Sequence, residues 1–414
     1  MEEENGFLAL ENKLFEIIDL LETDLLKFVE PTNSVMQREK FFEALKKGEE
    51  YNPRFTYISK NPVFSHFTIT PEYAKIMKEL KEMEVEERGL GKLIRKKKNE
   101  SLKRMEFIRS IGSNDLKKKS VSFYGKPGKE LVAEAFEILA KAPKEKEKKE
   151  IPSERAAEIF NAEFRKRKIE WQALVDENIS PNAVTLPGNN ALKIRGDTLY
   201  SKEEIKRLIV HEIETHVYRH LNGKVQPFRL FIQGPGTDWL LSEEGLAVVN
   251  EEVFAGKSEE RVYEYAGRVA AVDFAQRNSF YNTFKYMCEF FPAEKAYQLT
   301  QRAKRGLSNT VERGGLTKDF YYLAGGKLIR DFIARGGRLE RLYYGKISAE
   351  DTFVLDEIPK LVKPEFLPKY GRAFSKYKKA ILKTAGKPAG KQGKKRSLQA
   401  KIPRKKNAER SAKP

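Results

Sequence analysis

The sequence predicts an α+β fold that is mainly α-helical, and two observations support this class. Apolar residues recur at helical spacing along most of the 414-residue chain, as they do over residues 14–28. Only a few short segments alternate between apolar and polar residues, and the clearest are residues 183–187 and 191–195. A Gly-Asn-Asn turn separates these two segments, so we expect a hairpin within a small antiparallel sheet.

The composition is typical of a folded protein inside the cell. Hydrophobic residues make up 40 % of the chain, too many for a wholly disordered protein. The single cysteine, Cys288, excludes internal disulfides and a zinc ribbon. No apolar run reaches the roughly 18 residues of a membrane span, and the acidic start does not resemble a secretory signal. We therefore expect a soluble, cytoplasmic protein with no transmembrane segment.

Charge separates a basic tail from the rest of the chain. The net charge is +19, and residues 383–414 hold twelve Lys or Arg against one acid, which gives +11. Because this segment has almost no core-forming residues, we predict that it is disordered. It would either attract a polyanion, such as nucleic acid or an acidic protein, or only improve solubility. We divide the remainder into an N-terminal helical region with short strands, residues 1–150, and a second domain, residues 151–370.

Three segments of the N-terminal region carry local signals. Residues 54–58 and 64–69 alternate as short strands do. Thr70 followed by Pro71 is typical of an N-cap and the first position of a helix. Residues 91–120 are dense in charge, so we expect an exposed helix there.

A capped helix follows the predicted hairpin. Ser201 and Glu204 match the S-x-x-E capping box, so a helix should run from there to Leu221, with Gly223 ending it. Its apolar residues form a stripe that we expect to face the core. This helix carries most of the candidate functional residues.

Three of the four histidines lie on that helix: His211, His216 and His220. Clustered histidines on one helix are typical of a zinc site, and Glu212 follows His211 as the general base does in zinc peptidases. His211 and His216 are five residues apart, about 140° on a regular α-helix, so a shared ion would require a local π-bulge. His216 and His220 have the regular i, i+4 spacing and form the rival ligand pair.

A catalytic zinc usually has three protein ligands, and Glu244 is the best candidate for the third. It lies on a second predicted helix, which begins near residue 238 or 242 and ends near Phe254. Gly245 within that helix is costly, so another element should approach closely there, and the histidine helix is the obvious one. Glu243 is expected to be an exposed residue of the first turn.

These motifs resemble the QEGLA-motif family, formerly a domain of unknown function, which includes the microtubule-associated tyrosine carboxypeptidases. The resemblance spans roughly residues 45–335. It rests on YNPRF (51–55), SFYGKPGKELV (122–132), HEIETH (211–216), LNGKVQPFRL (221–230), EEGLA (243–247), RAKRG (302–306) and LTKDFYYLAGG (316–326).

The resemblance implies a role for each motif residue. His211, His216 and Glu244 would be the metal ligands in an H-E-x-x-x-H site, and Glu212 would be the catalytic base. His220 is not required by the family pattern. Two residues depart from it: Glu243 stands where the bacterial signature has Gln, and Glu214 stands where the family usually has Gly, which adds a carboxylate close to the metal.

The resemblance also implies a fold and an activity. Residues 151–370 would form a zincin-like catalytic domain with Zn²⁺ as cofactor. The enzyme would be a metallocarboxypeptidase that removes an aromatic, tyrosine-like residue from the C-terminus of a peptide or protein. Such an enzyme needs a cation for the substrate carboxylate and a donor for the oxyanion. Candidates within the family-like segment are Arg302, Arg305, Arg313 and Lys318 for the carboxylate, and Tyr321 or Tyr322 for the oxyanion.

A second hypothesis is a non-catalytic polyanion-binding protein whose metal site is structural. Structural zinc sites are closed by four protein ligands, so this hypothesis requires His220 to join His211, His216 and Glu244. The position of His220 therefore separates the two hypotheses.

Overall fold

The computed structural model describes residues 2–19, 25–57, 71–85, 88–143, 147–177, 179 and 181–385. Most of these residues are helical, and short strands form two small sheets. The predicted class, mainly α with a small sheet, is therefore confirmed.

The N-terminal part is a set of helices. Their bounds are α1 Glu2–Ile18, α2 Leu25–Val29, α3 Ser34–Lys46, α4 Pro71–Glu82, α5 Gly89–Ser110, α6 Leu116–Tyr124 and α7 Lys129–Leu139. Helix α4 begins at Pro71, as the sequence predicts.

The strands lie in the middle of the chain, around one helix. Their bounds are β1 Ile151–Pro152, β2 Gln172–Asp176, β3 Ala183–Leu186, β4 Ala191–Arg195 and β5 Leu199–Tyr200, and helix α8 Ser153–Lys166 lies between β1 and β2. Strands β1 and β5 pair antiparallel. The other three form a sheet in the order β2-β4-β3.

The C-terminal half is again helical. Its helices are α9 Lys202–Leu208, a π-helix Ile209–Val217, α10 Tyr218–Lys224, α11 Leu230–Gln233, α12 Asp238–Phe254, α13 Glu259–Ala275, α14 Phe280–Met287, α15 Ala293–Lys304, α16 Tyr321–Ala334 and α17 Gly371–Ala385. Short 3₁₀ turns cover Pro187–Asn189, Lys318–Phe320, Leu339–Tyr344 and Glu350–Glu357. The helix predicted to end near Phe254 is α12.

The three-stranded sheet is mixed, not antiparallel as predicted. The hairpin of β3 and β4 is correct, with Ala183 opposite Ile194 and a left-handed Asn190 (φ 46°) closing the turn. Strand β2, however, pairs parallel with β4. The sequence does not predict β2, because it lacks the alternation of apolar and polar residues that marks a half-buried strand. In the structure the adjacent apolar residues Leu174 and Val175 are both exposed.

Two N-terminal predictions need correction or fall outside the described residues. Residues 51–57 are irregular apart from one bridge between Arg54 and Asn309, because their backbone bonds to the loop around residue 309. The strand predicted at 64–69 lies outside the described residues.

The segment 91–120 is mostly helical, as predicted, but it forms two helices and is not exposed. Helix α5 ends at Ser110, α6 begins at Leu116, and more than half of α5 is buried. Charge misled the prediction here, because Lys97 and Glu100 pair with each other at 3.2 Å inside the protein.

Helices α12 and α16 cross with their backbones in contact. A Cβ atom on Gly245 would lie 2.2 Å from the carbonyl carbon and oxygen of Gly325. The close approach predicted at Gly245 is therefore real, but the partner is α16 and not the histidine helix.

Buried apolar residues form two clusters, and both include residues of α12 and α16. One joins the N-terminal helices to α13–α15, and the other joins α8, the mixed sheet, α17 and parts of α12 and α16. The division of the chain at residue 150 stays a prediction.

The C-terminal segment and the membrane prediction can be compared in part. Residues 383–385 belong to α17, so the predicted tail begins too early, and residues 386–414 lie outside the described residues. Among the described helices, none combines the length and the apolar character needed to cross a membrane.

Candidate metal centre

The histidine helix starts with the predicted cap. Ser201 Oγ accepts a hydrogen bond from the backbone N–H of Glu204 at 2.9 Å, which satisfies one of the free amides of the first turn. The Glu204 carboxylate accepts from Asn182 Nδ2 at 2.5 Å, just before β3. The cap therefore also ties the helix to the edge of the mixed sheet.

The middle of this helix is a π-helix over Ile209–Val217, as the five-residue histidine spacing predicts. A π-helix closes its hydrogen bonds between residues i and i+5, so residues five apart lie on one face. The rings of His211 and His216 accordingly meet edge to face, with centroids 5.0 Å apart.

His211, Glu212 and His216 form a group that could hold a metal ion. Each offers one ligand atom, and these atoms all lie within 4.8 Å of one another. His211 and Glu212 are buried, and His216 is half-buried. Thr185 on β3 donates from Oγ1 to Glu212 Oε2 at 2.5 Å, so the hairpin contacts the carboxylate directly.

Carboxylates of α12 hold both histidines by their Nδ1 atoms. His211 Nδ1 lies 2.6 Å from Glu251 Oε1, and His216 Nδ1 lies 2.7 Å from Glu243 Oε1. With Nδ1 engaged in this way, Nε2 of each ring is the nitrogen left for a metal, the arrangement usual for histidine ligands.

Glu244, which lies outside that group of three, brings a carboxylate oxygen close to His211. Its Oε2 is buried, accepts no hydrogen bond from the residues that the structure describes, and lies 3.8 Å from His211 Nε2. Its Oε1 accepts from Lys318 Nζ at 3.1 Å. Burial alone would raise the pKa of Glu244, but Lys318, His216 and His211 together outweigh it and the pKa is lowered. Two imidazole nitrogens and an unpartnered carboxylate oxygen suit a divalent ion of intermediate softness, so the residues fit a metal.

Glu243 is buried, which corrects the expectation that it is exposed. It is 2 % exposed, and its second oxygen, Oε2, lies 3.4 Å from Arg219 Nη1. Burial opposes ionisation of Glu243, but Arg219 and His216 together lower its pKa to about 2. In turn, burial opposes charge on His216, but the hydrogen bond and charge of Glu243, together with the charges of Glu212 and Glu244, raise the His216 pKa to about 9.

His220 does not join the group. It is buried, and its ring packs edge to face with that of Trp171, with the ring centroids 5.9 Å apart. Burial lowers the pKa of His220 to about 4. Among the described residues, the only cluster of metal-ligating side chains is the one with His211, so the rival pair of His216 and His220 has no support.

Glu214 points away from the centre. Its carboxylate accepts from Arg167 Nη2 on α8 at 2.6 Å. The extra carboxylate expected close to the metal is therefore paired elsewhere, and the π-helix forms with Glu in this position.

Of the six residues predicted to bind substrate, only Lys318 contacts a candidate metal ligand, and that ligand is Glu244. Both arginines pair with Asp319: Arg302 Nε lies 2.5 Å from its Oδ2, and Arg305 Nη2 lies 3.7 Å from its Oδ1. Arg313 is exposed.

The two tyrosines differ in their surroundings. Tyr321 is buried and donates from its hydroxyl to the carbonyl of Tyr124 at 3.0 Å. Tyr322 is half-buried, and its ring stacks on that of Tyr265, with the ring centroids 5.2 Å apart. The guanidinium carbon of Arg268 lies 4.3 Å from the centre of the Tyr322 ring. The roles of all six residues in substrate binding stay predictions.

Four contacts of the centre were not predicted: those of Thr185, Arg219, Glu243 and Glu251. A signal existed for Glu251, since it follows Glu244 by seven residues and so lies on the same helical face. Thr185 could not be found in this way, because its contact depends on how the hairpin packs against the helix.

Comparison with known proteins adds one match. A family described as "Microtubule-associated tyrosine carboxypeptidase" matches residues 39–385, from α3 to the end of α17. The match extends beyond residue 335, where the resemblance in the sequence was expected to end. No curated protein matches the chain.

Proposed function

Because the chain belongs to the microtubule-associated tyrosine carboxypeptidase family, we propose that it is a zinc-dependent carboxypeptidase. Its substrate would be a peptide or protein whose C-terminal residue is aromatic, with tyrosine preferred. The observation that supports this most is the π-helix, which brings His211, Glu212 and His216 within reach of a single ion.

In this proposal His211, His216 and Glu244 would hold the zinc, which would polarise the scissile carbonyl and make a water molecule acidic. Glu212 takes the proton of that water and passes it to the leaving amine. Thr185 engages Oε2 of Glu212, so Oε1 is the oxygen left to carry the proton. Thr185 thereby fixes the orientation of the base.

The leaving residue would be bound near Lys318 and Tyr322. Lys318 Nζ lies 5.9 Å from the centre of the Tyr322 ring and contacts Glu244, so it is the predicted cation nearest the metal centre. The half-buried Tyr322 ring offers an aromatic surface beside this charge. Arg302 and Arg305 are weaker candidates, because both pair with Asp319 and not with a candidate metal ligand.

The polyanion-binding hypothesis gains no support from the centre. It requires four protein ligands, and His220 packs against Trp171 instead of joining the other three. Binding of a polyanion by the tail stays a prediction for residues outside the described part.

The test uses peptides that differ only in their C-terminal residue, with the zinc-loaded full chain. We expect release of tyrosine and phenylalanine and little release of acidic or small residues. Glu212→Gln should keep its zinc but lose a factor of about 10²–10⁴ in kcat, the usual contribution of a general base.

Glu214→Gln is the matched control, two residues away and paired with Arg167 outside the centre. It should hydrolyse the peptides at the parent rate. If the zinc-loaded parent releases no C-terminal residue from any peptide, the proposed function is wrong.

A further inference from the structure

Helix α12 carries three buried carboxylates that face the metal centre. Glu244 is the candidate ligand, while Glu243 and Glu251 bond to the Nδ1 atoms of His216 and His211. All three are at most 6 % exposed. Helix α12 thus supplies one candidate ligand and the hydrogen-bond partners of the two histidine ligands.

Each of these carboxylates faces a cation of its own. Glu243 Oε2 lies 3.4 Å from Arg219 Nη1. Glu251 Oε2 lies 3.9 Å from Arg261 Nε, and its Oε1 also accepts from Tyr265 at 3.3 Å. The buried charges are therefore balanced in pairs around the two histidines.

These pairs are poorly built for stability alone. Arg219 is fully buried, yet neither its Nη1 nor Glu243 Oε2 makes a hydrogen bond among the described residues. Buried ion pairs with imperfect geometry recover little of their desolvation cost, and apolar residues of similar size would often be more stable. A carboxylate in this place is better explained by what it does to the histidine.

We propose that Glu243 and Glu251 are positioning residues, which hold His216 and His211 with Nε2 directed at the metal. A carboxylate on Nδ1 fixes the tautomer and the ring orientation and makes the histidine a better ligand. Arg219 and Arg261 supply the counter-charges. This inference rests on the proposed function only in requiring that the two histidines bind zinc.

Because Glu243, Glu244 and Glu251 share helix α12, the positions of the three candidate ligands are coupled. The contact of Gly245 with Gly325 fixes α12 against α16 next to Glu243 and Glu244. A change at either positioning residue should therefore weaken zinc binding without removing a ligand.

The experiment measures the zinc dissociation constant of the full chain by competition with a chelator, starting from metal-free protein. Glu243→Gln and Glu251→Gln keep the size of the side chain but remove its charge. Loss of such a partner typically costs 10–100-fold in metal affinity, so we expect each variant to bind zinc at least about tenfold more weakly.

Glu252→Gln is the matched control. Glu252 lies on the same helix and faces a cation, Arg330 Nη1 at 3.2 Å, but it contacts none of the described histidines. The zinc affinity of the variant should equal that of the parent. Glu251→Asp keeps the charge and shortens the reach to His211, so it should fold as the parent does and still bind zinc more weakly, even if Glu251→Gln does not fold.

Circular dichroism and the thermal midpoint of the metal-free proteins show whether a variant is folded. Zinc affinity within threefold of the parent in the folded Gln and Asp variants would overturn the inference. If the parent binds zinc but hydrolyses no peptide, the proposed function fails while weaker zinc binding by the variants still supports the positioning role. If the parent binds no zinc, both are wrong.

Discussion

Replacing Gly245 by alanine tests the closest contact between α12 and α16. Helix propensity alone favours the change, since alanine is about 0.5–1 kcal/mol better than glycine inside a helix. The structure predicts the opposite sign. The new Cβ atom would lie 2.2 Å from the backbone of Gly325, and ordinary contact begins at 3.4 Å.

The magnitude follows from what can move. The obstructing atoms are backbone, so no side-chain rotation relieves the clash and the two helices must separate. Overpacking of this kind costs typically about 1–3 kcal/mol, and a backbone clash belongs at the upper end of that range. After the gain in helix propensity, we expect the free energy of unfolding to fall by about 2 kcal/mol.

The assay is urea denaturation of the metal-free full chain, with the thermal midpoint as a second measurement. Gly325→Ala should behave like Gly245→Ala, because its Cβ would lie 2.4 Å from the Leu241 carbonyl oxygen. Gly326→Ala is the control: its nearest neighbour is a side-chain atom, Val248 Cγ1 at 3.2 Å. It should be neutral or slightly stabilising. Gly245→Ala that is as stable as Gly326→Ala would refute the reasoning.

Three further predictions concern the metal, a buried lysine and the tail. Glu244→Gln should weaken zinc binding and abolish hydrolysis, because an amide is a poorer zinc ligand than a carboxylate. The zinc content after dialysis measures this, and full retention of zinc by the variant would contradict it. Burial lowers the pKa of Lys304 to about 7, so between pH 7 and the ordinary value of 10.5 the unfolded chain binds a proton that the folded chain has released. The free energy of unfolding should therefore rise with pH in that window, and Lys304→Met should flatten the rise in urea denaturation at pH 7 and 9. Deletion of residues 386–414 should leave hydrolysis of short peptides unchanged and weaken any salt-sensitive binding to a polyanion; a large loss of peptide hydrolysis would show that the tail is not separable.

Local signals predicted the elements that carry the centre. The Ser201 cap, the five-residue histidine spacing and the hairpin each depend on neighbouring residues in the chain, and the structure has all three. Such features follow from backbone hydrogen bonding and side-chain periodicity, which a sequence displays directly.

Features that depend on packing were missed or misplaced. The parallel pairing of β2, the contact of Gly245 with Gly325 and the burial of Glu243 all arise from elements far apart in the chain. Charge was the most misleading signal, since it predicts exposure, whereas Glu243 is buried beside a cation of its own. A sequence shows charges but not which of them become neighbours.

The π-helix also has a consequence for insertions and deletions. One extra residue in a regular α-helix rotates everything after it by about 100° and advances it by about 1.5 Å. Here the wide turn absorbs that residue, so Arg219 and Asn222 can still reach the carbonyls of Leu342 and Phe366. Removing Glu214 would leave H-E-I-T-H, the spacing of an unbroken α-helix. The two spacings of the histidine motif thus differ by a single codon, and the rest of the fold need not change between them.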